Sequence, residues 1–406
     1  MPRCSAGTDF RRASSRPRST RPVPKAHSER SHGFQVYFFS ANDRHDFGTR
    51  YRFILDVARF IDQRGFTAIW TPERHFQEFG GSFPNPAVLS AALAVTTEHI
   101  GIRAGSVVLP HHHPVRVVEE WSLVDQLSHG RTGVCVATGW YQGDFVFYPD
   151  HYENRRVHTL DHISTLRSLW RGETMRFPGP GGHELEVRTY PRPRQPELPL
   201  WLVHTSNSRT WVDAGERGLN VLTLLTSWEG LASDIARYRA ARERAGHDPA
   251  AGTVTVGMHT YVGEHEERVR ELVREPVTTY LTSFMTQKHS DQKTGGSDAA
   301  EQRELARLMA DDYYARRSLL GTLEKCAATV ERLRATGVDE IACLVDFGLP
   351  FDTVLAALPA LDELRLRCAG DPRDTAAPPT GPDPVPLTDT GPCAKANAMN
   401  WYYARP

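Results

Sequence analysis

The stretch GIRAGSVVLPHHHPVRVVEEWSLVDQLSHGRTGVCVAT, Gly101 to Thr138, decides how this chain folds. Its opening, Gly101–Leu109, is β-rich and stops at Pro110. Apolar residues at helical spacing follow over Val115–Leu127, directly after Pro114, a residue suited to the first turn of a helix. Thr132–Thr138 is β-rich again. The two strand segments are apolar on both faces, which a parallel sheet covered by helices requires, and a strand–helix–strand unit joins parallel strands.

The same unit recurs along the chain. Strands are predicted at Gln35–Ser40, Ala68–Thr71, Gly101–Leu109, Thr132–Thr138, Leu200–His204, Val221–Leu225, Thr253–Val262 and Glu340–Asp346. Helical patterns alternate with them at Tyr51–Gln63, Pro86–Thr97 (after Asn85, a good cap), Val115–Leu127, Asn154–Trp170, Arg209–Glu216, Trp228–Ala245, Glu264 to about Leu281, and Leu323–Ala335. Eight such units in one chain predict an α/β protein of the (β/α)₈ barrel type, with insertions. Gly172–Pro199 reads as a hairpin excursion and Thr282–Leu320 as a polar, mobile cover. The barrel is expected over residues 33–369. Residues 1–32, rich in Arg, Ser and Pro, and the Pro-rich stretch 370–406 read as disordered extensions.

Composition excludes several functions. With 48 basic and 49 acidic residues the formal net charge is -1, which gives no electrostatic basis for binding nucleic acid or an anionic membrane. No apolar run approaches the roughly 20 residues that span a bilayer. The six cysteines, Cys4, Cys135, Cys326, Cys343, Cys368 and Cys393, are scattered without a CxxC pair, so neither a zinc knuckle nor a disulfide framework is indicated, and a reducing, cytoplasmic setting is expected.

In a (β/α)₈ barrel the active site lies at the C-terminal ends of the strands. Behind the second strand stands TPERHFQEFGG, Thr71–Gly81, with Glu73, Arg74, His75, Phe76, Glu78 and Phe79. The third strand contains Ala104-Gly105-Ser106, where glycine marks a close approach by a ligand or by another backbone, and it ends in His111-His112-His113. Three consecutive side chains cannot converge on one ion without contorting the backbone, so this triplet reads as a rim turn fixed by Pro110 and Pro114, and no metal is expected. The fourth strand leads into Thr138-Gly-Trp140. The fifth leads into Thr205, Ser206, Asn207, Ser208 and Arg209 at a helix start, which is either a plain cap or an anion site.

Taken together, TPERHFQEFGG, NPAVLSAAL, Gly101 through Phe145 and LLGTLEKCAATVERLRATGVDEIACLVDFG resemble the luciferase-like flavin monooxygenases, and among them the subgroup of natural-product biosynthesis. The resemblance runs from about Gly33 to Cys368. It implies reduced FMN at the barrel mouth, molecular oxygen as co-substrate and a homodimer. By position it places Gly105 and Ser106 against the flavin ring, Thr138 and Trp140 on the flavin-lining strand end, and Thr205, Ser206 and Arg209 on the phosphate segment. His75, Arg74 and Glu73 are then the expected catalytic group, with His75 and Arg74 acting on developing oxygen charge or on a proton and Glu73 orienting them. Two departures matter: where the family's luciferases carry two successive histidines, this chain has Arg74-His75, and where they use an arginine near the phosphate it has Thr138, with Arg209 available as a replacement, so light emission is not implied.

No GxGxxG fingerprint for a nicotinamide is present, so reduced flavin is expected from a separate reductase. The expected substrate is a biosynthetic intermediate, free or tethered to a carrier protein. Two alternatives stay open: a deazaflavin-dependent hydride-transfer oxidoreductase, and a flavin- or carrier-binding protein without catalysis.

Overall fold

The computed structural model describes residues 33–39, 46–290 and 299–369. The extensions expected at 1–32 and 370–406 lie outside these residues. The elements run β1 (Gly33–Tyr37), α1 (Phe47–Asp62), β2 (Ala68–Thr71), α2 (Pro86–Thr96), β3 (Gly101–Val108), α3 (Pro114–Leu127), β4 (Thr132–Ala137), α4 (Arg155–Arg171), β5 (Met175–Pro178) and β6 (Glu184–Val187). They continue with β7 (Leu200–His204), α5 (Arg209–Glu216), β8 (Asn220–Leu224), α6 (Trp228–Arg244), β9 (Val254–Val262), α7 (Glu266–Ser290), α8 (Ala299–Arg316), β10 (Leu319–Gly321), α9 (Leu323–Thr336), β11 (Glu340–Leu344) and α10 (Phe351–Cys368).

Strand order closes on itself. Following the ladder gives β11-β1-β2-β3-β4-β7-β8-β9, with β9 pairing back onto β11, and every pairing in it is parallel. This is the predicted (β/α)₈ barrel. Each predicted strand is found within two residues of its expected bounds, except that β1 ends at Tyr37, three residues before the expected Ser40, which itself lies outside the described residues. The short β10 adds to the C-terminal end of β9, and β5 with β6 forms the hairpin expected between Gly172 and Pro199. Helix starts follow the sequence signals: the Asn85 side chain accepts from the Val88 N–H at 3.0 Å ahead of Pro86, and Asp46 likewise accepts from Thr49 N–H.

The predicted polar cover is different in kind. The helix of the seventh unit does not stop near Leu281 but continues to Ser290, and a second helix, α8, fills Ala299–Arg316. Pro276 sits inside α7. Helix α10 was also not predicted; Pro359 in its middle reads as a breaker, but the surrounding apolar residues Val354, Leu358, Leu361 and Leu364 are buried and hold the helix through it.

The lower half of the barrel is filled by a polar-aromatic layer. Arg103 of β3 reaches Glu340 of β11 with Nη1–Oε2 at 2.8 Å and Nη2–Oε1 at 3.2 Å. These strands are separated by β1 and β2 in the wall, so the bond crosses the lumen. The guanidinium lies 4.4 Å from the Trp201 ring centroid and 5.1 Å from that of Trp70, and the two indoles meet edge to face at 5.3 Å. Thr255 Oγ1 donates to Glu340 at 2.6 Å, and Trp201 Nε1 donates to Thr255 at 3.2 Å. Burial by itself would raise the Glu340 carboxyl, but the charge and hydrogen bonds of Arg103 outweigh it and hold the group below the usual carboxylate range.

Removing one partner of this buried pair strands the other. Glu340→Ala is therefore expected to lower unfolding free energy by about 3–5 kcal/mol in urea titrations at neutral pH. Because the folded-state carboxyl is depressed, its contribution is present above the unfolded value and is lost as pH falls. The gap between wild type and Glu340→Gln should accordingly narrow on acidification below the ordinary carboxylate range.

Candidate active site

Beyond Thr71 the chain leaves the barrel wall at Pro72 and turns Glu73 inward, where its side chain is fully buried. The carboxylate collects three donors. Val108 N–H at the end of β3 binds one oxygen at 2.8 Å, while His75 Nε2 at 2.9 Å and His112 Nε2 at 2.7 Å both bind the other. An ionised carboxylate only accepts, so both imidazoles donate N–H. Burial pushes this carboxyl upward, but the hydrogen bonds from His112 and His75 prevail and hold it at about 2. The same bond raises His112 against the downward push of its own burial. His111 lies one turn away in the 3₁₀ segment Leu109–His111, and burial drives it down to about 4, so it is neutral at neutral pH.

Arg74 is buried at the barrel mouth among aromatic faces. Its guanidinium carbon stands 4.8 Å from the Phe39 ring centroid, 5.3 Å from Phe79 and 5.6 Å from Trp140. Helix α7 closes this wall: Tyr280 meets Phe79 at 5.2 Å, Phe39 at 5.9 Å and His259 of β9 at 4.4 Å, and Phe284 meets Trp140 at 6.0 Å. The cover expected from the sequence is thus an aromatic helix laid over the strand ends. Gly80, at φ +86°, makes room for the arginine, because a Cβ there would lie 2.8 Å from Arg74 Cγ. Phe79 is buried as a water-excluding residue must be. Phe76 instead stands 60% exposed at the rim with φ +56°, its ring 5.5 Å from Phe147.

Gly105 and Ser106 are joined by a cis peptide bond, and the β3–β4 register shifts there. The Gly105 carbonyl accepts from the Tyr37 hydroxyl at 2.5 Å, and a Cβ at Gly105 would press on Trp70 and Tyr37 at 3.1 Å. Thr138 and Trp140 flank Gly139 where β4 runs out, which brings Trp140 onto Arg74. Thr205, Ser206 and Arg209 form a separate group between β7 and α5. Thr205 is exposed and Ser206 half-buried, and neither side chain makes a hydrogen bond among the described residues. Ser208 caps α5 without a side-chain bond. Arg209 is exposed and turned along its own helix, at 3.2 Å from Asp213 and 3.5 Å from Glu216. Arg156 and Arg217, the latter at the C-terminal end of α5, also reach Asp213, so three guanidiniums share that carboxylate.

Chemically the mouth offers an imidazole fixed by a buried carboxylate, a buried guanidinium and a water-poor aromatic enclosure. Part of this set fits a flavin: hydroxyls of Thr205 and Ser206 without hydrogen bonds among the described residues, beside Arg209, suit the phosphate, whereas the close approach at Gly105 is to Trp70 and Tyr37. Sequence reasoning singled out Glu73, Arg74 and His75, but not Tyr37, Tyr280, Phe284 or His259, and it read His112 only as part of a rim turn. Its pairing to Glu73 across 39 residues has no local signal. Tyr280 and Phe284 form an i,i+4 aromatic pair, but the predicted helix ended near Leu281, which left Phe284 in the polar cover.

A family model described as luciferase-like monooxygenase matches residues 33–340. The oxygenase component of the flavin-dependent trigonelline monooxygenase of Acinetobacter baylyi is 24% identical over 320 residues, which is 75% of this chain and 86% of that relative. Among solved structures, the oxygenating constituent of the 3,6-diketocamphane monooxygenase of Pseudomonas putida, a type II Baeyer-Villiger monooxygenase in complex with FMN, superposes with a TM-score of 0.64 at 17% identity, covering 83% of this chain and 96% of its own. An F420-dependent secondary alcohol dehydrogenase superposes with a TM-score of 0.66 at 17% identity, covering 84% and 100%.

Gly80→Ala tests the seat of Arg74. A left-handed backbone and a methyl against the Arg74 stem together are expected to cost about 1–3 kcal/mol in urea unfolding and to weaken flavin binding; a variant with wild-type stability and affinity would show that Arg74 is free to move aside.

Proposed function

Since the chain belongs to the luciferase-like monooxygenase family, whose model matches residues 33–340, we propose that it uses reduced FMN and O₂ to oxygenate a biosynthetic intermediate, free or tethered to a carrier protein. The family gives a flavin-dependent oxidoreductase. The choice of FMN is the present reading, supported by the likeness to an FMN complex and by the hydroxyl-rich start of α5.

The observation that carries the reading is the Glu73–His75–His112 network beside a buried Arg74, under an aromatic roof. Bound flavin would supply the electrons for reducing oxygen. Around it, Tyr37 fixes the Gly105 carbonyl, Ser206 and Thr205 hold the phosphate, with Arg209 contributing charge from the flank, and Thr138 and Trp140 line the ring. Arg74 stabilises negative charge that develops on oxygen, and desolvation by its aromatic neighbours strengthens that effect. His75 takes up or delivers a proton at Nδ1, the nitrogen Glu73 does not engage, while Glu73 accepts from Nε2–H and so fixes the tautomer. Phe79, Tyr280 and Phe284 keep water out.

Reduced flavin comes from a separate reductase, as the designation "oxygenase component" of the Acinetobacter relative supports. A homodimer is supported by apolar side chains left exposed on adjacent helices: Val88 and Val95 on α2, Leu123 and Leu127 on α3. The four described cysteines are free and buried, in keeping with a cytoplasmic setting, and no described helix is long and apolar enough to cross a membrane.

The test is oxygen transfer. With a flavin reductase, FMN and ¹⁸O₂, a turned-over substrate is expected to gain one ¹⁸O atom. Oxidation of an alcohol substrate without oxygen, together with tighter binding of the deazaflavin than of FMN, would replace this reading with hydride transfer. Ser206→Ala should weaken FMN binding by about 1.5–3 kcal/mol, the value of one hydrogen bond to a charged group, and unchanged affinity would remove the phosphate assignment. His75→Ala should lower product yield per O₂ consumed and raise released hydrogen peroxide, and unchanged coupling would return His75 to a structural role.

A further inference from the structure

Three imidazoles converge on one carboxylate beneath the rim, and their bonding is unequal. His75 and His112 each donate to the same oxygen of Glu73, at 2.9 and 2.7 Å. His111 stops at 4.0 Å from that oxygen, its side chain is 1% exposed, and neither of its ring nitrogens has a hydrogen-bond partner. It is held by packing alone, 4.6 Å from the Phe145 ring and 5.9 Å from that of His75. A buried imidazole with both nitrogens unsatisfied has lost its hydration without compensation, so its placement beside the carboxylate calls for a ligand.

We propose that Glu73, His75 and His111 form a binding site for a single divalent transition ion of the zinc or cobalt type. One ligand atom from each lies within 4.8 Å of the other two. Ligands at about 2.0–2.2 Å from a tetrahedral ion stand roughly 3.3–3.5 Å apart. The Glu73–His75 separation of 2.9 Å and the Glu73–His111 separation of 4.0 Å bracket that range, so sub-ångström shifts of these two contacts bring them to it. Two imidazoles and one carboxylate suit borderline divalent ions rather than calcium or magnesium.

His112 keeps its bond to Glu73 and fixes the ligating carboxylate from outside the coordination sphere. An ion takes the Nε2 lone pair that the N–H to Glu73 occupies, and the proton passes to Nδ1 so that the ring stays neutral, so ion and hydrogen bond exclude each other. Given the role assigned to His75 above, an occupied site would silence oxygenation. The three consecutive histidines do not act together. His113 is exposed and accepts from Val115 N–H at the start of α3.

The experiment is titration of the untagged, chelator-treated, FMN-loaded full chain with Co(II), read by the visible d–d bands of a four- or five-coordinate ion. The expected result is one Co(II) per chain in wild type and in His113→Ala, and affinity weakened by more than about 100-fold in His111→Phe, which preserves the ring and removes both nitrogens. Should His111→Phe fail to fold, His75→Gln, at a half-buried position, is expected to show the same loss. Absence of d–d bands in wild type, or equal binding by whichever of these two variants folds, would overturn the site. The readout does not depend on turnover. With oxygen transfer assayed on the metal-free chain, a chain that transfers oxygen but binds no Co(II) loses this inference alone; one that binds Co(II) but transfers no oxygen even when metal-free loses the functional reading instead.

Discussion

The Arg103–Glu340 pair is the constraint on which the rest of the molecule leans. A closed parallel barrel of eight strands has a diameter set by strand number and stagger, and the lumen so enclosed must be filled by side chains from the wall. Here an ion pair clamped between two indoles fills and ties it across the lumen. It joins β3 to β11, and through Thr255 and Trp201 it also reaches β9 and β7. Charges in such a place are expensive to bury and are retained only with near-complete hydrogen bonding, which these have. Above this level Tyr37 touches Gly105 across β2 and the loop after β2 delivers Glu73 to the end of β3.

The mouth shows the opposite economy. Its groups come from the ends of different strands, and each is fixed by a neighbour from another: Glu73 by Val108 and His112, Arg74 by the rings of Phe39, Phe79 and Trp140, Phe39 by its N–H on Asp346 at 2.8 Å. Position at the rim is therefore a property of the closed barrel and not of any single loop.

This explains what could be read in the sequence. The strands were legible because burial on both faces leaves continuous apolar runs, and Ala68–Thr71 and Leu200–His204 appear with the bounds their composition implies. Glu73, Arg74 and His75 were legible as a group because they directly follow such a run. His111 and His112 were visible as a triplet, yet their environment was not: backbone direction separates them by burial, and their common partner lies in another unit. Arg209 shows the converse. A helix start rich in hydroxyls suggested a phosphate seat, while the carboxylates one and two turns on, Asp213 and Glu216, draw the guanidinium along the helix. The polar composition of Thr282–Leu320 suggested a loop, but only its middle falls outside the described residues; the flanks are helical because Met309, Ala310, Tyr313 and Tyr314 supply a buried face.

Pro276 gives helix α7 a seam. Lacking an N–H, it cannot bond the carbonyl of residue 272, so the helix is weakest one turn before Tyr280. Tyr280 and Phe284 both lie beyond the seam, so the contacts with Phe39, Phe79 and Trp140 rest on the half of α7 that buried Val277, Leu281 and Met285 hold down, and not on an unbroken helix.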